Sequence, residues 1–216
     1  MIKEAAISPL NDVIATRVRT LRAARALSLD ALAEQSGVSR SMISLVERGE
    51  SSATAVVLEK LATALGVTLA SLFEPGDDAP STPTEPVSRK RDQIVWTDPD
   101  SGYERRNVSP AAVASASPAH TTATHASHSP RVQLVDVEFP AGRRVAFESG
   151  ARDVRVQQQI WILRGAMTIT VGATSYRLHE GDCLAMQLDQ PIMFYNHTRR
   201  PSRYVVAIAS ERVPLR

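Results

Sequence analysis

The chain has 216 residues, 43% of them hydrophobic and 22% charged, and a formal net charge of +2. That length allows one or two domains with real cores, and the near-neutral balance excludes a protein that coats nucleic acid by bulk charge. No stretch approaches the roughly 18 uninterrupted apolar residues of a membrane span. MIKEAAISPL at the start lacks a secretory pattern, and the single cysteine, Cys183, excludes an internal disulfide framework, so a cytoplasmic location is expected.

Apolar spacing predicts a helix over Asp12–Ala26, with Ile14, Val18, Leu21 and Arg25 on related faces. A second begins at Leu29, with Ser28 as N-cap and Leu32 and Ala33 on its apolar face, and Gly37 stops it. Ser39 then caps a third helix whose Met42, Ile43 and Val46 face inward. Its other face carries Arg40, Ser41, Ser44 and Arg48, a leading arginine and small polar groups suited to a major groove. A fourth helix runs over Thr54–Leu65 through Val57, Leu58 and Leu61, ending at Gly66, and a fifth over Leu69–Phe73 stops before Pro75. Residues 10–74 therefore predict a five-helix bundle.

The text from Arg17 to Phe73 resembles the lambda-repressor-like (Cro/XRE-type) helix-turn-helix family. The resemblance is carried by the SGVS turn, the I-S-x-x-E-R-G end of the third helix and LEKLATALGV. It implies double-stranded DNA as partner, with Ser39, Arg40, Ser41 and Ser44 facing bases or adjacent phosphates. Arg40 fits a guanine edge, because its forked donors match two acceptors there, and Arg48 fits a phosphate. Leu45 stands where some relatives carry a polar reader, which implies apolar contact, as with a thymine methyl. The family also pairs an arginine on the first helix with a glutamate closing the third, and Arg22 and Glu47 hold those places as a structural ion pair.

Composition changes after Phe73. Residues 75–93 read as a linker, Pro-, Ser-, Thr- and acid-rich at first. Its SRKRD run (Ser88–Asp92) is read as a solvated charge run rather than a phosphate contact. Residues 94–131 are expected to be irregular, with a low-complexity loop at 109–130. His120, His125 and His128 lie there among Ala, Ser, Thr and Pro, without acids or cysteines, so a loop is read in preference to a metal site.

Residues 132–211 alternate as strands. Val135, Val137 and Phe139 share one side of Val132–Phe139. Ile160–Leu163, Met167–Val171, a strand through Tyr176 and Leu178, Leu184–Leu188, Ile192–Tyr195 and Tyr204–Ala209 follow, separated by glycine turns. This predicts an antiparallel β-barrel or double-sheet roll. The text FPAGRRVAFESG, QIWILRGAMTITVGATSYRLHEGDCLAM and QPIMFYNHT resembles the cupin family, specifically the small C-terminal sensor cupin of XRE-type regulators. Gly165, Gly181-Asp182 and Asn196 match its motif positions. The resemblance implies a cupin β-barrel (double-stranded β-helix) for sensing or dimerisation.

The departures concern the metal. The cupin glutamate position is Gln158, the first histidine positions fall among Ala151–Val154 without a histidine, and the last is Ile192. These are poor ligands for iron, manganese or zinc, so no metal, no other cofactor and no catalytic residue is expected. His179 and His197 read as turn histidines, and Cys183, at the start of a strand, as buried and inert. Strand parity instead turns Gln158, Ile160, Ile162, Ile192, Phe194 and Asn196 to one face, with Met186, Met193 and Tyr176 as further lining. These residues are either packed core or, given the two amides, a ligand pocket. The expected function is a sequence-specific DNA-binding transcriptional regulator, a homodimer on a pseudo-palindromic operator, with a metal-free cupin that senses an unknown small molecule. The alternatives are a cupin enzyme acting on a small metabolite with a DNA-binding appendage, and a cupin that only dimerises.

Overall fold

The computed structural model describes residues 9–74, 86–110, 131–148 and 154–212. Four α-helices come first: α1 (Pro9–Ala24), α2 (Leu29–Ser36), α3 (Arg40–Glu47) and α4 (Ala55–Ala64). The fifth helical element, Leu69–Phe73, is a 3-10 turn and not an α-helix. Six residues between a Thr68 cap and Pro75 leave little room for an i→i+4 ladder. The caps are local and follow the sequence. Ser28 accepts from the Ala31 N–H, and Ser39 accepts from the Met42 N–H. Gly37 closes α2 at φ +66°, with its N–H on Ala33 O. Val18, Leu32, Ile43, Val46, Leu58, Leu61 and Leu65 fill the space between the helices.

Among the described residues ten strands follow in two antiparallel sheets: β1 (Val95–Thr97), β2 (Glu104–Asn107), β3 (Arg131–Phe139), β4 (Arg144–Phe147), β5 (Val154–Arg164), β6 (Ala166–Val171), β7 (Thr174–His179), β8 (Cys183–Gln187), β9 (Ile192–Tyr195) and β10 (Ser202–Arg212). The larger sheet runs β1-β2-β3-β10-β5-β8 and the smaller β4-β9-β6-β7. β1 and β2 lie in the segment expected to be irregular; Trp96 pairs with Arg105 there, and β2 adds itself to β3. The histidine-bearing part of that segment, 111–130, lies outside the described residues, as do 149–153 with most of the cupin's first histidine positions. Cys183 is exposed rather than buried, because it opens a strand at the sheet edge. No described helix is long and apolar enough to cross a membrane.

The corner from β5 into β6 requires glycine. Gly165 has φ +84°, and a Cβ there would lie 2.9 Å from Ser202 Oγ and 3.2 Å from its Cα. That approach lets Ser202 Oγ donate to Ala166 O (2.7 Å) and accept from Ala166 N–H (3.2 Å). The chain thereby passes from the larger sheet to the smaller while β10 stays bonded to the turn.

The helical and β halves share one continuous core. Asp98, in the β1–β2 turn and 2% exposed, accepts the Ala55 N–H (2.8 Å) with Oδ1. A residue of the β half thus caps the first turn of α4. Thr68 donates to Gln133 Oε1, and Lys60 on α4 meets Glu148 (3.0 Å). Buried rings run across the junction in sequence of contact: Phe73, Trp96, Tyr103, Phe139, Tyr204 and Phe194, with centroids 5.5–6.5 Å apart.

Candidate nucleic-acid interface and internal cavity

The outer face of α3 is held from behind by α1. Arg22 donates from Nε to Glu47 Oε1 (2.6 Å) and from Nη2 to Oε2 (2.8 Å), while its Nη1 donates to Leu27 O (2.8 Å). Arg19 Nη2 donates to Glu47 O (2.8 Å). Glu47 is buried, and its hydrogen bond and charge raise the Arg22 pKa above the ordinary arginine value. A bidentate, largely desolvated pair of this kind fixes orientation more reliably than it adds stability. The ion pair expected from the family pattern is present.

Of the six candidate DNA contacts, Ser39, Arg40, Ser41 and Arg48 are exposed, and Ser44 and Leu45 are half-buried. Ser39 Oγ lies 3.1 Å from Ser41 Oγ. Arg40 Nε is 3.3 Å from Asp30 Oδ1 on α2. Arg48 donates to Ser44 Oγ and sits 2.8 Å from Glu50, whose hydrogen bond raises the arginine's pKa and lowers its own. Exposed ion pairs like these hold with little free energy.

The second set of candidates divides. Gln158, Ile192 and Phe194 line a cavity of about 80 Å³ that the sheets share with α4 and the Leu69–Phe73 turn, enough for several waters. Ile160 and Ile162 are fully buried in the core off that wall. Met186 is half-buried beside the core and Tyr176 is exposed on β7, so neither reaches the cavity. Met193 lies on a separate surface depression with Tyr195. Asn196 is fully buried, but its amide is spent: Nδ2 donates to Phe139 O (3.1 Å) and Arg200 O (2.8 Å), and Oδ1 accepts from Thr198 N–H (3.0 Å) and Oγ1 (2.8 Å). It clamps the β9–β10 turn and offers nothing to a ligand.

The cavity's polar wall was not read from the sequence. It comprises Glu59 on α4, Thr68, Tyr103, Arg105 on β2 and Tyr204. Arg105 is 6% exposed and its Nε has no hydrogen-bond partner. Its Cζ lies 4.6 Å from the centroid of Phe73, in the last turn of the helical half. Burial lowers the Arg105 pKa, against the raising fields of Tyr103 and Glu59, and burial raises Tyr103 and Tyr204 far above ordinary tyrosines. One signal was available. Ala55, Leu58, Glu59 and Ala62 form an i, i+3, i+4, i+7 stripe, which turns Glu59 inward. Among the described residues no three His, Cys, Asp or Glu side chains stand together where they could hold a metal.

Residues 18–72 match the helix-turn-helix family model HTH_3. The HTH-type transcriptional regulator SutR of Escherichia coli (strain K12) is 38% identical over 73 residues, 34% of this chain and 41% of that protein. The chain thus spans about two fifths of the curated relative it matches. Over 94% of its length the chain superposes, at TM-score 0.65 and 22% identity, on 98% of an HTH_3 family transcriptional regulator from Vibrio cholerae, which shows a shared fold. A cupin_2 domain of an XRE family transcriptional regulator from Enterobacter cloacae aligns with 38% of this chain and 83% of its own, at TM-score 0.35 and 14% identity, too slight a likeness to argue from. The helical half, over residues 18–72, is thus similar to the helix-turn-helix domains of the HTH_3 family.

Proposed function

We propose that the protein is a sequence-specific DNA-binding transcriptional regulator. The observation that carries this reading is the Arg22–Glu47 clamp, which sets α3 with Ser39, Arg40, Ser41 and Arg48 outward on a helix-turn-helix domain. In this reading Arg40 leaves Asp30 to contact a guanine, Arg48 takes a phosphate, Ser39, Ser41 and Ser44 follow the backbone or base edges, and Leu45 packs on an apolar base edge. The helices and 3-10 turn act as a five-element bundle, and the two sheets act as a cupin-type closed barrel whose cavity takes a small-molecule effector. The role is regulatory rather than catalytic, without a metal. Val132, Leu134 and Trp161, exposed on the larger sheet, are the surface that a second copy would cover to give a homodimer.

The test is selection of bound duplexes from a random pool. A pseudo-palindrome with half-sites about one helical turn apart should be enriched. Arg40→Ala should lose about 1–3 kcal/mol of specific binding and relax preference at one base pair of each half-site. Failure to enrich any sequence, with non-specific binding only, overturns the reading.

A further inference from the structure

The buried charged side chains among the described residues are Arg17, Glu47, Glu59, Asp98 and Arg105. Arg22 balances Glu47, and Arg17 and Arg105 balance Glu59 and Asp98, so the interior is neutral. Most of these groups are already engaged. Arg17 Nε donates to Ser71 O (3.3 Å), Glu59 has its own partner, and Asp98 accepts three hydrogen bonds. Arg105 differs, because its buried Nε–H meets no acceptor, a costly state for a charged donor. The alternation of β2 turns Arg105 inward beside exposed Glu104, and it lines the cavity. Water suits that cavity poorly. A buried water makes about three hydrogen bonds, and most of the wall is apolar, through Val137, Val145, Phe147, Ile192, Phe194 and Val206. An oxygen acceptor on an apolar body meets both the bare N–H and this wall. A carboxylate fits less well, since it would pair with the guanidinium fork through two donors and add a charge to an interior already neutral. A hydroxyl would bring a donor of its own for the apolar wall to leave bare. At about 10–15 Å³ per water-sized group, about 80 Å³ holds on the order of five to eight non-hydrogen atoms.

We infer that the cavity binds a small neutral carbonyl compound, a ketone or an ester with an apolar body, its oxygen accepting the Arg105 Nε–H. This rests on the effector role proposed above and names its chemical class. Thr68, Leu69 and Ala70 of the helical half share the wall with the strands, so the ligand touches both halves. An occupant that favours one seating of the halves shifts the helix-turn-helix with it.

The experiment uses the full chain and needs no DNA in its first arm. Three probes of one shape are titrated to tens of millimolar: methyl isopropyl ketone, the alkene with a methylene in place of its oxygen, and isobutyrate. Binding is followed by proton–nitrogen NMR at the Arg105 Nε–H, assigned through bonds from the backbone. The ketone should move that resonance downfield to saturation and bind roughly 10- to 100-fold more tightly than the alkene or isobutyrate. Arg105→Met, checked for native circular dichroism, should bind ketone and alkene alike. A ketone that leaves the resonance in place, as with water alone in the cavity, overturns the inference. So does an alkene or an isobutyrate that binds as tightly as the ketone, whatever Arg105→Met does. The second arm measures affinity for a selected duplex with and without the ketone. A ketone that binds while no duplex is selected overturns the regulator reading alone, and selective DNA binding without ketone binding overturns the carbonyl ligand alone.

Discussion

Replacing Asp98 with alanine should weaken the junction between the two halves more than any surface change. The carboxylate accepts three hydrogen bonds in a site 2% exposed: from the Ala55 N–H (2.8 Å), from the Ser101 N–H (2.9 Å) and from the Ser101 hydroxyl. Hydrogen bonds to a charged group each contribute about 1.5–3 kcal/mol, and a buried donor left bare costs about 1–3 kcal/mol. The three share one carboxylate and are not additive, so the expected loss is about 3–5 kcal/mol. For a chain of this size that corresponds to a fall of roughly 10 °C in Tm. Differential scanning calorimetry reads both the size and the form of the change. The Asp98→Ala transition should broaden or split, because the N–H that loses its partner belongs to α4 while the carboxylate belongs to the β half. Asp98→Asn keeps an acceptor for Ala55 but turns an amide towards the Ser101 N–H, and should fall between the two. A single, sharp transition within about 2 °C of the parent would refute the cross-junction cap as a stabilising contact.

Other outcomes follow from the same geometry. Glu47→Ala, which leaves Arg22 half-buried with only its bond to Leu27 O, should cost about 2–3 kcal/mol in urea unfolding. It should also weaken DNA binding without changing its salt slope, since Glu47 touches no phosphate. A double-mutant cycle with Arg22→Ala should return a coupling of about 1–3 kcal/mol. Arg48→Ala should weaken binding to all duplexes alike and reduce the salt slope by about 1, as measured by fluorescence anisotropy across a salt series. Burial raises the pKa of Tyr103 and Tyr204, so both stay protonated in the folded chain where the unfolded chain has already ionised. Their contribution to stability is whole below the ordinary tyrosine pKa of about 10 and is lost as pH rises beyond it. Alkaline titration followed by tyrosinate absorbance should show these two ionising together with loss of near-ultraviolet dichroism; ionisation in a chain that keeps its dichroism would contradict their burial.

The helical half was legible because its signals are short-range. Ser28, Ser39 and Gly37 act within four residues of themselves, and the apolar spacing of α2 and α3 is set by helix geometry alone. The β half was legible where strands alternate over several residues, as in Val132–Phe139. It was not legible at β1 and β2, which have three and four residues and read as polar text. Arg105 illustrates the difficulty. In ERRN it looks like one solvated charge among others, and only its register opposite Trp96 and Val137 turns it inward. Asn196 failed in the opposite direction. An amide on the inward face suggests a ligand contact, but its partners Phe139 and Arg200 are fixed by the fold of a distant strand and turn. Asp98 belongs to the same class, since its partner Ala55 lies 43 positions away.

That separation has a consequence for synthesis of the chain. Residues 18–72 are made first, and α4 leaves the ribosome with the N–H of Ala55 still open to water. The residue that closes it is added 43 positions later, roughly 2–9 s on at translation speeds of 5–20 residues per second. During that interval the helix-turn-helix half has its own caps and its own Arg22–Glu47 clamp, but Phe73 has neither Trp96 nor Arg105 to cover it. The nascent helical half is therefore at its stickiest before the β half exists, and the first two described strands to emerge, β1 and β2, are the ones that carry its cover.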